Sequence, residues 1–377
     1  MTTASRDPDT LLAEARKGDR VALARLLSVV ERGGPPSRAL ARLAYREPPP
    51  YTVGLTGAPG AGKSTLTNRL IAAARAGWPP VAVGEDHAGG PAAPTGAGAG
   101  QPSAAEAGAP EPGTPEPVDQ VAVIAVDPSS PFTGGAILGD RVRMQDHATD
   151  PSVFVRSMAT RGHLGGLTLA VPDAVRVLGA VGMPVVIVET VGVGQMEVDV
   201  ASATDTTIVV VNPGWGDAMQ ANKAGLLEVA DLFVINKADR PGAREARRDL
   251  QQMLDLSMTG DWRPPIVDTV AATGDGVDAL WAEVARHRAH LAASGLLAAR
   301  RRQRLTQELR RVLVARLLRR VEEVAAGAAF ADAVAALADG RIDPYDAADL
   351  LLDPLLDPAA EAGAANPTDP AGPAGHG

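Results

Sequence analysis

Gly57-Ala58-Pro59-Gly60-Ala61-Gly62-Lys63-Ser64 is the stretch that decides the fold of this 377-residue chain. It fits the spacing G-x-x-x-x-G-K-[ST], in which glycines let backbone N–H groups turn inward around phosphate groups. Tyr51 to Thr56, just before it, predicts a short buried strand, and Thr65 to Ala76 predicts a helix. Because both flanks match, a coincidental glycine-rich turn is disfavoured, and we expect this loop to bind a nucleoside triphosphate.

Each residue type in this loop has a chemical reason to be there. Lys63 is expected to reach the β- and γ-phosphates, and the Ser64 hydroxyl to ligate Mg²⁺. The helix N-terminus adds the positive end of its dipole. The predicted nucleotide contacts from this segment are Gly57, Ala58, Pro59, Gly60, Ala61, Gly62, Lys63, Ser64 and Thr65.

Composition excludes several classes of protein. The absence of cysteine excludes a disulfide framework, thiolate metal sites and thiol catalysis. No run of apolar residues reaches the roughly 18 that a membrane span needs, and the N-terminus shows no apolar signal region. A net charge of −9 argues against general nucleic-acid binding. We therefore expect a cytoplasmic enzyme that binds neither nucleic acid nor membrane.

Short runs of β-branched residues alternate with helical stretches through the middle of the chain. This pattern is typical of a parallel sheet covered by helices on both faces. The predicted fold class is α/β, a P-loop NTPase with a doubly wound, mostly parallel sheet and with N- and C-terminal helical extensions. The further predicted strands are Val121–Val126, Val153–Val155, Val185–Val188, Thr207–Val211, Leu232–Ile235 and Pro265–Val267.

The pattern also predicts how the chain is divided. Residues 10–30 indicate two helices interrupted at Lys17-Gly18-Asp19, and residues 37–45 a third. Residues 84–118 consist of Gly, Pro, Ala, Glu and Thr with almost no large apolar residue, which predicts a disordered insertion. The predicted regions are an N-terminal helical extension (1–47), a phosphate-loop domain (48–290), a C-terminal helical dimerisation region (291–357) and a disordered tail (358–377).

The C-terminal region contains a long amphipathic helix. Nine arginines lie between residues 300 and 324, mostly away from its apolar stripe. A solvated charged face is favoured over a nucleic-acid or membrane surface, because Glu308, Glu322 and Glu323 are interspersed. A stripe this wide needs a partner, either the main domain or a second subunit. Its residues are Leu305, Leu309, Val312, Leu313, Leu317, Val321 and Val324.

A second motif, Asn236-Lys237-Ala238-Asp239, directly follows the strand predicted to end at Ile235. An aspartate carboxylate at this position accepts hydrogen bonds from guanine N1–H and the exocyclic amine, which adenine does not present in that arrangement. Asn236 and Lys237 would brace the loop and the base plane. Alone, the tetrad is compatible with a polar strand-to-helix turn, but downstream of a phosphate loop it predicts guanine binding.

Two acidic residues end predicted strands where Mg²⁺ should lie. Asp127 follows Val126, and Glu189 follows Val188, so both fall at the carboxyl edge of a parallel sheet beside the phosphate loop. Mg²⁺ accepts one or two carboxylates together with phosphate oxygens. Either acid alone is compatible with the role of a helix cap. We predict Ser64, Asp127 and Glu189 as the metal-binding residues.

Glycine-rich segments near these acids suit mobile switches, although ordinary surface loops are equally compatible with them. Thr133 to Met144 contains Asp140, Arg141 and Arg143, and Arg156 to Gly166 contains Arg161 and His163. Gly192, three residues after Glu189, would sense the γ-phosphate through its N–H.

Taken together, these motifs resemble those of the MeaB/ArgK-type GTPases, which include the methylmalonic aciduria type A protein. The resemblance runs from about Leu11 to Leu352, outside the insertion. It implies a SIMIBI-class P-loop GTPase that is usually a homodimer through its helical extensions. It also implies a chaperone of an adenosylcobalamin-dependent acyl-CoA mutase, typically methylmalonyl-CoA mutase. The segments that carry it are the phosphate loop, Val126 to Gly135, Gly139 to Met144, Glu189 to Gln195 and Asn236 to Asp239.

In the family, GTP binding and hydrolysis gate cofactor loading and protect the mutase. Carried over by position, Lys63 and Ser64 would hold phosphates and Mg²⁺, and Asp239 would bind guanine. Asp127, Asp140 and Glu189 would form the acidic set for Mg²⁺ and water, and with Lys63 the catalytic set. The implied cofactors are GTP/GDP and Mg²⁺. The insertion and the loop near Val270 to Gly274 depart from the usual family pattern.

Three alternatives rank below this interpretation. The first is a kinase that phosphorylates a periplasmic amino-acid-binding protein during transport. The sequence shows no dedicated site for such an acceptor protein. A metallochaperone GTPase would be expected to carry Cys- or His-rich tracts, and this chain has no cysteine and six scattered histidines. A binding module without turnover is the third, because intrinsic rates of such GTPases are often low until a partner completes the site.

Overall fold

Seven strands form one sheet in which every pairing is parallel. The computed structural model describes residues 7–79, 118–128, 147, 149–160, 170–190, 203–214, 228–257 and 261–356. The order of the strands across the sheet is β3-β2-β4-β1-β5-β6-β7. The strands are β1 (Tyr51–Thr56), β2 (Val121–Pro128), β3 (Val153–Thr160), β4 (Val185–Thr190), β5 (Thr206–Val211), β6 (Leu232–Asn236) and β7 (Ile266–Thr269).

The β-branched runs form the interior of this sheet, as predicted. Every residue of β1, β4, β5 and β6 is buried, because helices cover both faces of a parallel sheet. Several strand bounds differ from the prediction by one or two residues, and the end of β3 differs by more. β3 continues to Thr160, paired with β2 along its whole length, and β7 begins at Ile266 because the preceding Pro265 has no N–H to donate.

Ten helices belong to the described part of the chain. The first two form the predicted helical hairpin, and the Asp19 carboxylate caps the second by accepting from the N–H groups of Val21 and Ala22. The helices are α1 (Pro8–Arg16), α2 (Arg20–Arg32), α3 (Gly34–Ala44), α4 (Lys63–Arg75), α5 (Ala170–Ala180), α6 (Ala243–Ser257), α7 (Val277–Ala293), α8 (Leu296–Ala325), α9 (Ala328–Ala338) and α10 (Pro344–Leu356).

Helices pack on both faces of the sheet, so the predicted doubly wound arrangement is confirmed. On one face α4 and α7 bury Val53, Leu55 and their neighbours. On the other, α1, α2, α3 and α5 cover one end of the sheet, and α6 covers Val209 and Phe233. No helix among the described residues is long and apolar enough to cross a membrane.

The predicted insertion lies outside the described residues except for its last position. Val118 is buried in the core cluster that also contains Trp78 and Val121. A large apolar side chain three positions before β2 gains free energy by leaving water. Val118 therefore belongs to the core, and the expectation that the insertion includes it is corrected.

The chain divides into two compact units between Thr306 and Gln307, within α8. The second unit contains the rest of α8 together with α9 and α10. Leu309, Leu313 and Leu317 of the predicted apolar stripe are more than half exposed there. The predicted domain boundaries at residues 47/48, 290/291 and 357/358 stay predictions.

Within the first unit, two buried aspartates hold the beginning of α8 at the amino edge of the sheet. Asp205, immediately before β5, accepts from the Thr52 N–H (3.0 Å), from Arg301 Nη2 (2.7 Å) and from Arg304. Asp231, immediately before β6, accepts from the Thr207 N–H (2.9 Å) and from Arg300 (2.9 Å). These ion pairs join α8 to strands β1, β5 and β6.

The charge state of Asp205 follows from these partners. Burial alone would raise the pKa of the Asp205 carboxyl, but hydrogen bonds and positive charge from Arg301 and Arg304 outweigh it and hold that pKa below its ordinary value. A carboxyl whose pKa is lowered on folding stabilises the folded state fully above the unfolded pKa of about 3.9. That contribution is lost as the pH falls through the lower folded-state pKa.

Asp205→Asn is expected to lower the free energy of unfolding by about 3 kcal/mol at pH 7, because it leaves two arginines beside a buried neutral amide. Chemical denaturation measures the change. The matched control is Asp255→Asn, which removes an exposed ion pair with Arg263 that contributes at most about 1 kcal/mol. Equal stabilities for the two variants would contradict this account of the buried pair.

Candidate functional site

The predicted phosphate loop lies between the end of β1 at Thr56 and the start of α4 at Lys63, at the carboxyl edge of the sheet. Three of its glycines have positive φ: Gly57 (134°), Gly60 (75°) and Gly62 (91°). A Cβ atom on Gly57 would lie 2.0 Å from the Val210 carbonyl oxygen of β5. A Cβ atom on Gly62 would lie 2.4 Å from Asn236 Nδ2. The loop thus needs glycine both for its turns and for close approach.

Gly57→Ala is expected to destabilise the fold by about 3 kcal/mol or more, because the new methyl group overlaps a strand backbone that has no room to move. Thermal unfolding measures this. Gly60→Ala is the matched control: its Cβ meets nothing within 4 Å, so it adds only the backbone strain of about 1 kcal/mol. If the Gly57→Ala and Gly60→Ala proteins were equally stable, Gly57 would not pack as closely against the Val210 carbonyl as described.

Lys63 and Ser64 open helix α4, and both are only 7% exposed. Lys63 Nζ donates to the carbonyl oxygens of Gly57 (2.5 Å) and Ala58 (3.1 Å), so the ammonium group lies against the loop it belongs to. The helix has no side-chain cap at its N-terminus, where its dipole places positive charge. An ammonium group and a helix N-terminus at one loop favour binding of an anion.

The Ser64 hydroxyl faces a buried carboxylate. Ser64 Oγ donates to Glu189 Oε1 at 2.5 Å, and Glu189 is 1% exposed. The strands bring them together, since Glu189 of β4 is in register with Leu55 of β1, shortly before the phosphate loop. Hydroxyl and carboxylate oxygens are the ligands that Mg²⁺ prefers, so the two residues fit the predicted metal site.

The predicted guanine motif meets the phosphate loop directly. The buried Asn236 amide donates through Nδ2 to the Ala61 carbonyl (2.8 Å), and its Oδ1 accepts from Thr269 Oγ1 (3.2 Å) and from the Ala271 N–H (3.1 Å). Lys237 has φ 60°, and its Nζ donates to the Gly60 carbonyl (2.6 Å). Asn236 therefore joins the phosphate loop, β6 and the loop that follows β7.

Asp239 lies three residues beyond Asn236 in the turn that follows β6, and it is exposed to solvent. The Ala238 N–H donates to the Thr269 carbonyl (3.1 Å), so this turn is also tied to the end of β7. The structure thus brings the predicted phosphate, metal and base segments to one edge of the sheet.

Other predicted site residues are only partly described. Asp127 belongs to the carboxyl end of β2, which pairs with β4, but its side chain lies outside the description. Asp140 lies outside the described residues, as do residues 133–144, 161–166 and 191–195. The expected switch loop from Arg156 needs correction: Arg156 to Thr160 continue β3, and Arg156 pairs with Glu31 and Ser28 of α2.

Two residues of this cluster are not marked by any sequence motif. Thr269 contacts Asn236 at the end of β7, and Arg69 of α4 contacts the following loop. An isolated threonine or arginine has no diagnostic spacing. The end of a predicted strand beside the guanine motif is the signal that would have found Thr269.

Comparison with known proteins agrees with this geometry. The family model described as the methylmalonyl Co-A mutase-associated GTPase MeaB matches residues 23–99 and 115–326. These ranges contain the phosphate loop, Glu189 and the Asn236 motif.

Individual relatives cover most of the chain. A protein of Pyrococcus horikoshii named as a GTPase is 42% identical over 357 residues, which are 92% of this chain and 98% of that protein. The GTPase ArgK of Escherichia coli is 34% identical over 307 residues, 78% of this chain and 80% of that protein. A solved structure described as a LAO/AO transport system kinase has a TM-score of 0.62 at 24% identity, covering 95% of this chain and 100% of the other, which shows a shared fold.

Proposed function

This chain belongs to the MeaB family of GTPases, and from that membership we propose that it is a nucleotide-gated chaperone of an adenosylcobalamin-dependent acyl-CoA mutase. The client is of the methylmalonyl-CoA mutase type. GTP binding and hydrolysis gate the loading of the cofactor and protect the mutase from inactivation. The observation that carries the proposal is the match to the mutase-associated family across the whole nucleotide-binding region.

The nucleotide-binding part of the proposal assigns roles to the clustered residues. Residues 57 to 65 hold the phosphates, with Lys63 donating from inside the loop. Ser64 and Glu189, already joined by a hydrogen bond, hold Mg²⁺ together with Asp127. A Mg²⁺ ion held by these residues would neutralise charge on the phosphates. Asp127, Asp140 and Glu189 orient water, and with Lys63 they form the proposed catalytic set.

The base-binding part rests on the position of the Asn236 motif. Asn236 and Lys237 fix the turn against the phosphate loop, and Asp239 accepts from the N1–H and the amine of guanine. Adenine has no N–H at N1 and no amine at C2, so it would leave the carboxylate without donors. A carboxylate that loses its donors on binding the wrong base disfavours that base.

Gating requires that the nucleotide site act on a surface the client contacts. Glu189 lies at the end of β4, and the chain continues directly into the segment Glu189 to Gln195. Ser64 and Glu189 are joined by a hydrogen bond, so a Mg²⁺ ion held by them would be linked to the end of β4. We propose that the segment after Glu189 changes with the nucleotide and transmits that change to the mutase.

The proposal also includes a homodimer formed through the C-terminal helices. In the second unit, α8 presents exposed leucines beside a basic face with Arg310, Arg316 and Arg320, whereas α10 contains Asp346, Asp349 and Asp353. Apolar residues in such a row favour a covering partner, and opposite charges favour a second copy. Sedimentation equilibrium of the full chain tests this: the mass of two chains supports it and the mass of one contradicts it.

The alternatives gain no support from the site. The likeness to the transport-system kinase is one of fold. A cytoplasmic location is part of the proposal, because GTP and acyl-CoA thioesters are intracellular metabolites. Neither nucleic acid nor membrane is a proposed partner.

Complex formation tests the partnership. The full chain and a purified adenosylcobalamin-dependent mutase from the same organism are mixed with GDP or with a non-hydrolysable GTP analogue and separated by size-exclusion chromatography. Co-elution that depends on which nucleotide is present is expected. Lys63→Ala is the matched control, and it should respond to neither nucleotide. Separate elution under every nucleotide condition, with GTP bound, would contradict the proposed client.

A further inference from the structure

Arg176 of α5 is a partly buried cation without a hydrogen-bond acceptor of its own. Its guanidinium lies over the ring of Tyr45, with Cζ 4.6 Å from the ring centroid. Arg176 makes no hydrogen bond and no ion pair within the part of the chain that the structure describes. The face of an aromatic ring attracts a cation, but it does not satisfy the five N–H donors of a guanidinium group. Arg176 therefore has donors to offer to another acceptor.

Packing places Arg176 close to the beginning of α8. Gly179, one turn further along α5, packs on Pro50: a Cβ atom there would lie 2.5 Å from Pro50 Cδ. Arg301 of α8 contacts the same proline, since its Nη2 donates to the Pro50 carbonyl oxygen (3.2 Å). Residues three positions apart share one face of a helix, so Arg176 and Gly179 face the same linker, residues 45–50. Arg176 and Arg301 therefore both approach this linker.

Positive charge exceeds negative charge at this place. Burial lowers the pKa of the Arg176 guanidinium, and the charges of Arg301 and Arg304 lower it further, whereas the charge of Asp205 acts in the opposite direction. Asp205 forms ion pairs with both Arg301 and Arg304. Three guanidinium groups thus surround one carboxylate, and three positive charges against one negative charge leave an excess of two.

Asp205 does not satisfy Arg176, because its acceptor positions are occupied. Its Oδ1 accepts from Arg301 Nε (3.1 Å) and from Arg304 Nη2, and its Oδ2 accepts from Arg301 Nη2 (2.7 Å) and from the Thr52 N–H (3.0 Å). A carboxylate offers about four lone-pair positions. Arg301 Nη1 and Arg304 Nε have no acceptor among the described residues. Unused donors on three guanidinium groups and uncompensated positive charge therefore occur together.

We propose that Arg176, Arg301 and Arg304 form a binding site for a phosphate dianion. The two charges of this anion match the excess of positive charge. Tetrahedral phosphate oxygens accept from guanidinium groups in different planes, whereas a carboxylate has one charge and pairs with a single guanidinium fork. The ligand is inorganic phosphate or the terminal phosphate of a small molecule, which share this group.

The proposed site is separate from the phosphate loop and does not depend on the proposed function. Asp205 accepts from Thr52 near the beginning of β1, whereas the phosphate loop follows the end of that strand at Thr56. The two anion sites therefore lie at opposite edges of the sheet, and each can be measured while the other is filled or disabled.

The test is isothermal titration of the full chain with inorganic phosphate at about pH 8, where a phosphate group carries close to two negative charges. Chloride keeps the ionic strength constant, and a non-hydrolysable GTP analogue with Mg²⁺ first fills the phosphate loop. Phosphate should bind, and Arg176→Ala should weaken it by about tenfold or more, because charge-assisted hydrogen bonds are lost. Arg176→Lys should fall between, since lysine keeps the charge but not the planar fork. Lys63→Ala without nucleotide should bind phosphate at this site as wild type does.

Arg302→Ala is the matched control, because Arg302 is exposed on α8 beside Arg301 and has no ion pair among the described residues. It removes the same charge and should keep wild-type phosphate affinity. Equal weakening by Arg302→Ala and Arg176→Ala would overturn the proposal. So would a wild-type protein that binds no phosphate, or one that binds acetate as tightly as phosphate.

Methyl phosphate distinguishes the two sources of the anion. Binding as tight as that of inorganic phosphate would support the terminal phosphate of a small molecule as the ligand. Binding of inorganic phosphate alone would support the free ion.

Thermal unfolding keeps the test valid if Arg176→Ala is less stable, since Arg176 also packs on Tyr45. Each protein is compared with itself, in phosphate and in chloride of equal ionic strength. Phosphate should raise the unfolding temperature of wild type and of Arg302→Ala, because it binds the folded state, and should not raise that of Arg176→Ala. Equal stabilisation of all three proteins by phosphate would contradict the proposed site.

Discussion

Lys63→Ala is expected to weaken GTP binding by about a hundredfold or more. The ammonium group lies inside the phosphate loop, against the Gly57 and Ala58 carbonyls, at the N-terminus of α4. Charge-assisted hydrogen bonds to phosphate oxygens contribute about 3 kcal/mol together, and every 1.4 kcal/mol is a factor of ten in affinity. Isothermal titration of the full chain with GTP and Mg²⁺ measures the loss.

The chain offers a matched control for this experiment. Lys17 is an exposed lysine at the C-terminal end of α1, far in sequence from the phosphate loop. Lys17→Ala removes the same charge and should bind GTP as wild type does. If Lys63→Ala also kept wild-type GTP affinity, the assignment of the phosphate site to this loop would be wrong.

Asp239→Asn is expected to change the preferred base from guanine to xanthine. The amide oxygen still accepts from N1–H, but the amide NH₂ now faces the guanine amine, donor against donor. Xanthine carries a carbonyl at that position and pairs with the NH₂ group. Loss of the hydrogen bond from the 2-amino group, a donor-against-donor contact in its place and a neutral acceptor for N1–H together predict at least about a hundredfold weaker GTP binding and tighter XTP binding.

Competition between GTP and XTP for the site measures this change. Asp249→Asn is a suitable control, since Asp249 is an exposed aspartate on α6 outside the site. It should retain the preference for GTP. If the Asp239→Asn protein still selected GTP over XTP, the assignment of Asp239 to base binding would be wrong. The assignment of the phosphate loop would not be affected.

Much of the fold was predictable because parallel sheets have a strong sequence signature. A strand buried on both faces must be apolar along its length, which is why the runs at Val185 and Leu232 stand out. The phosphate loop was predictable for a different reason. Its glycines meet Val210 and Asn236 at distances that no side chain permits, so the residue types are dictated by geometry.

Contacts between distant segments were not predictable where no motif marks the two partners. The two contacts of Arg69 with the loop after β7 span about 200 positions and have no motif behind them. The Ser64–Glu189 bond spans 125 positions, but the sequence places both residues at the same sheet edge and so predicts their proximity. The pairing of Arg301 and Arg304 with Asp205 spans 96 and 99 positions, and in the sequence these arginines belong to an ordinary basic helix. Only the arrangement of strands brings such groups together, and local periodicity contains no information about it.

These long-range contacts connect the segments of the proposed nucleotide site to one another. Asn236 ties the phosphate loop to the base segment, and Ser64 ties it to the end of β4. If the site holds GTP as proposed, a change at the γ-phosphate would act through Ser64 and Glu189 on the segment that follows Glu189. A GTPase needs such a connection if hydrolysis is to change its affinity for a client enzyme.

Steady-state GTP hydrolysis, measured with and without a purified adenosylcobalamin-dependent acyl-CoA mutase from the same organism, tests the central claim most directly. The account predicts marked stimulation of turnover by the mutase, absent in Lys63→Ala and retained in Lys17→Ala. Tight GTP binding with no stimulation by any such mutase would contradict the claim that this GTPase serves one.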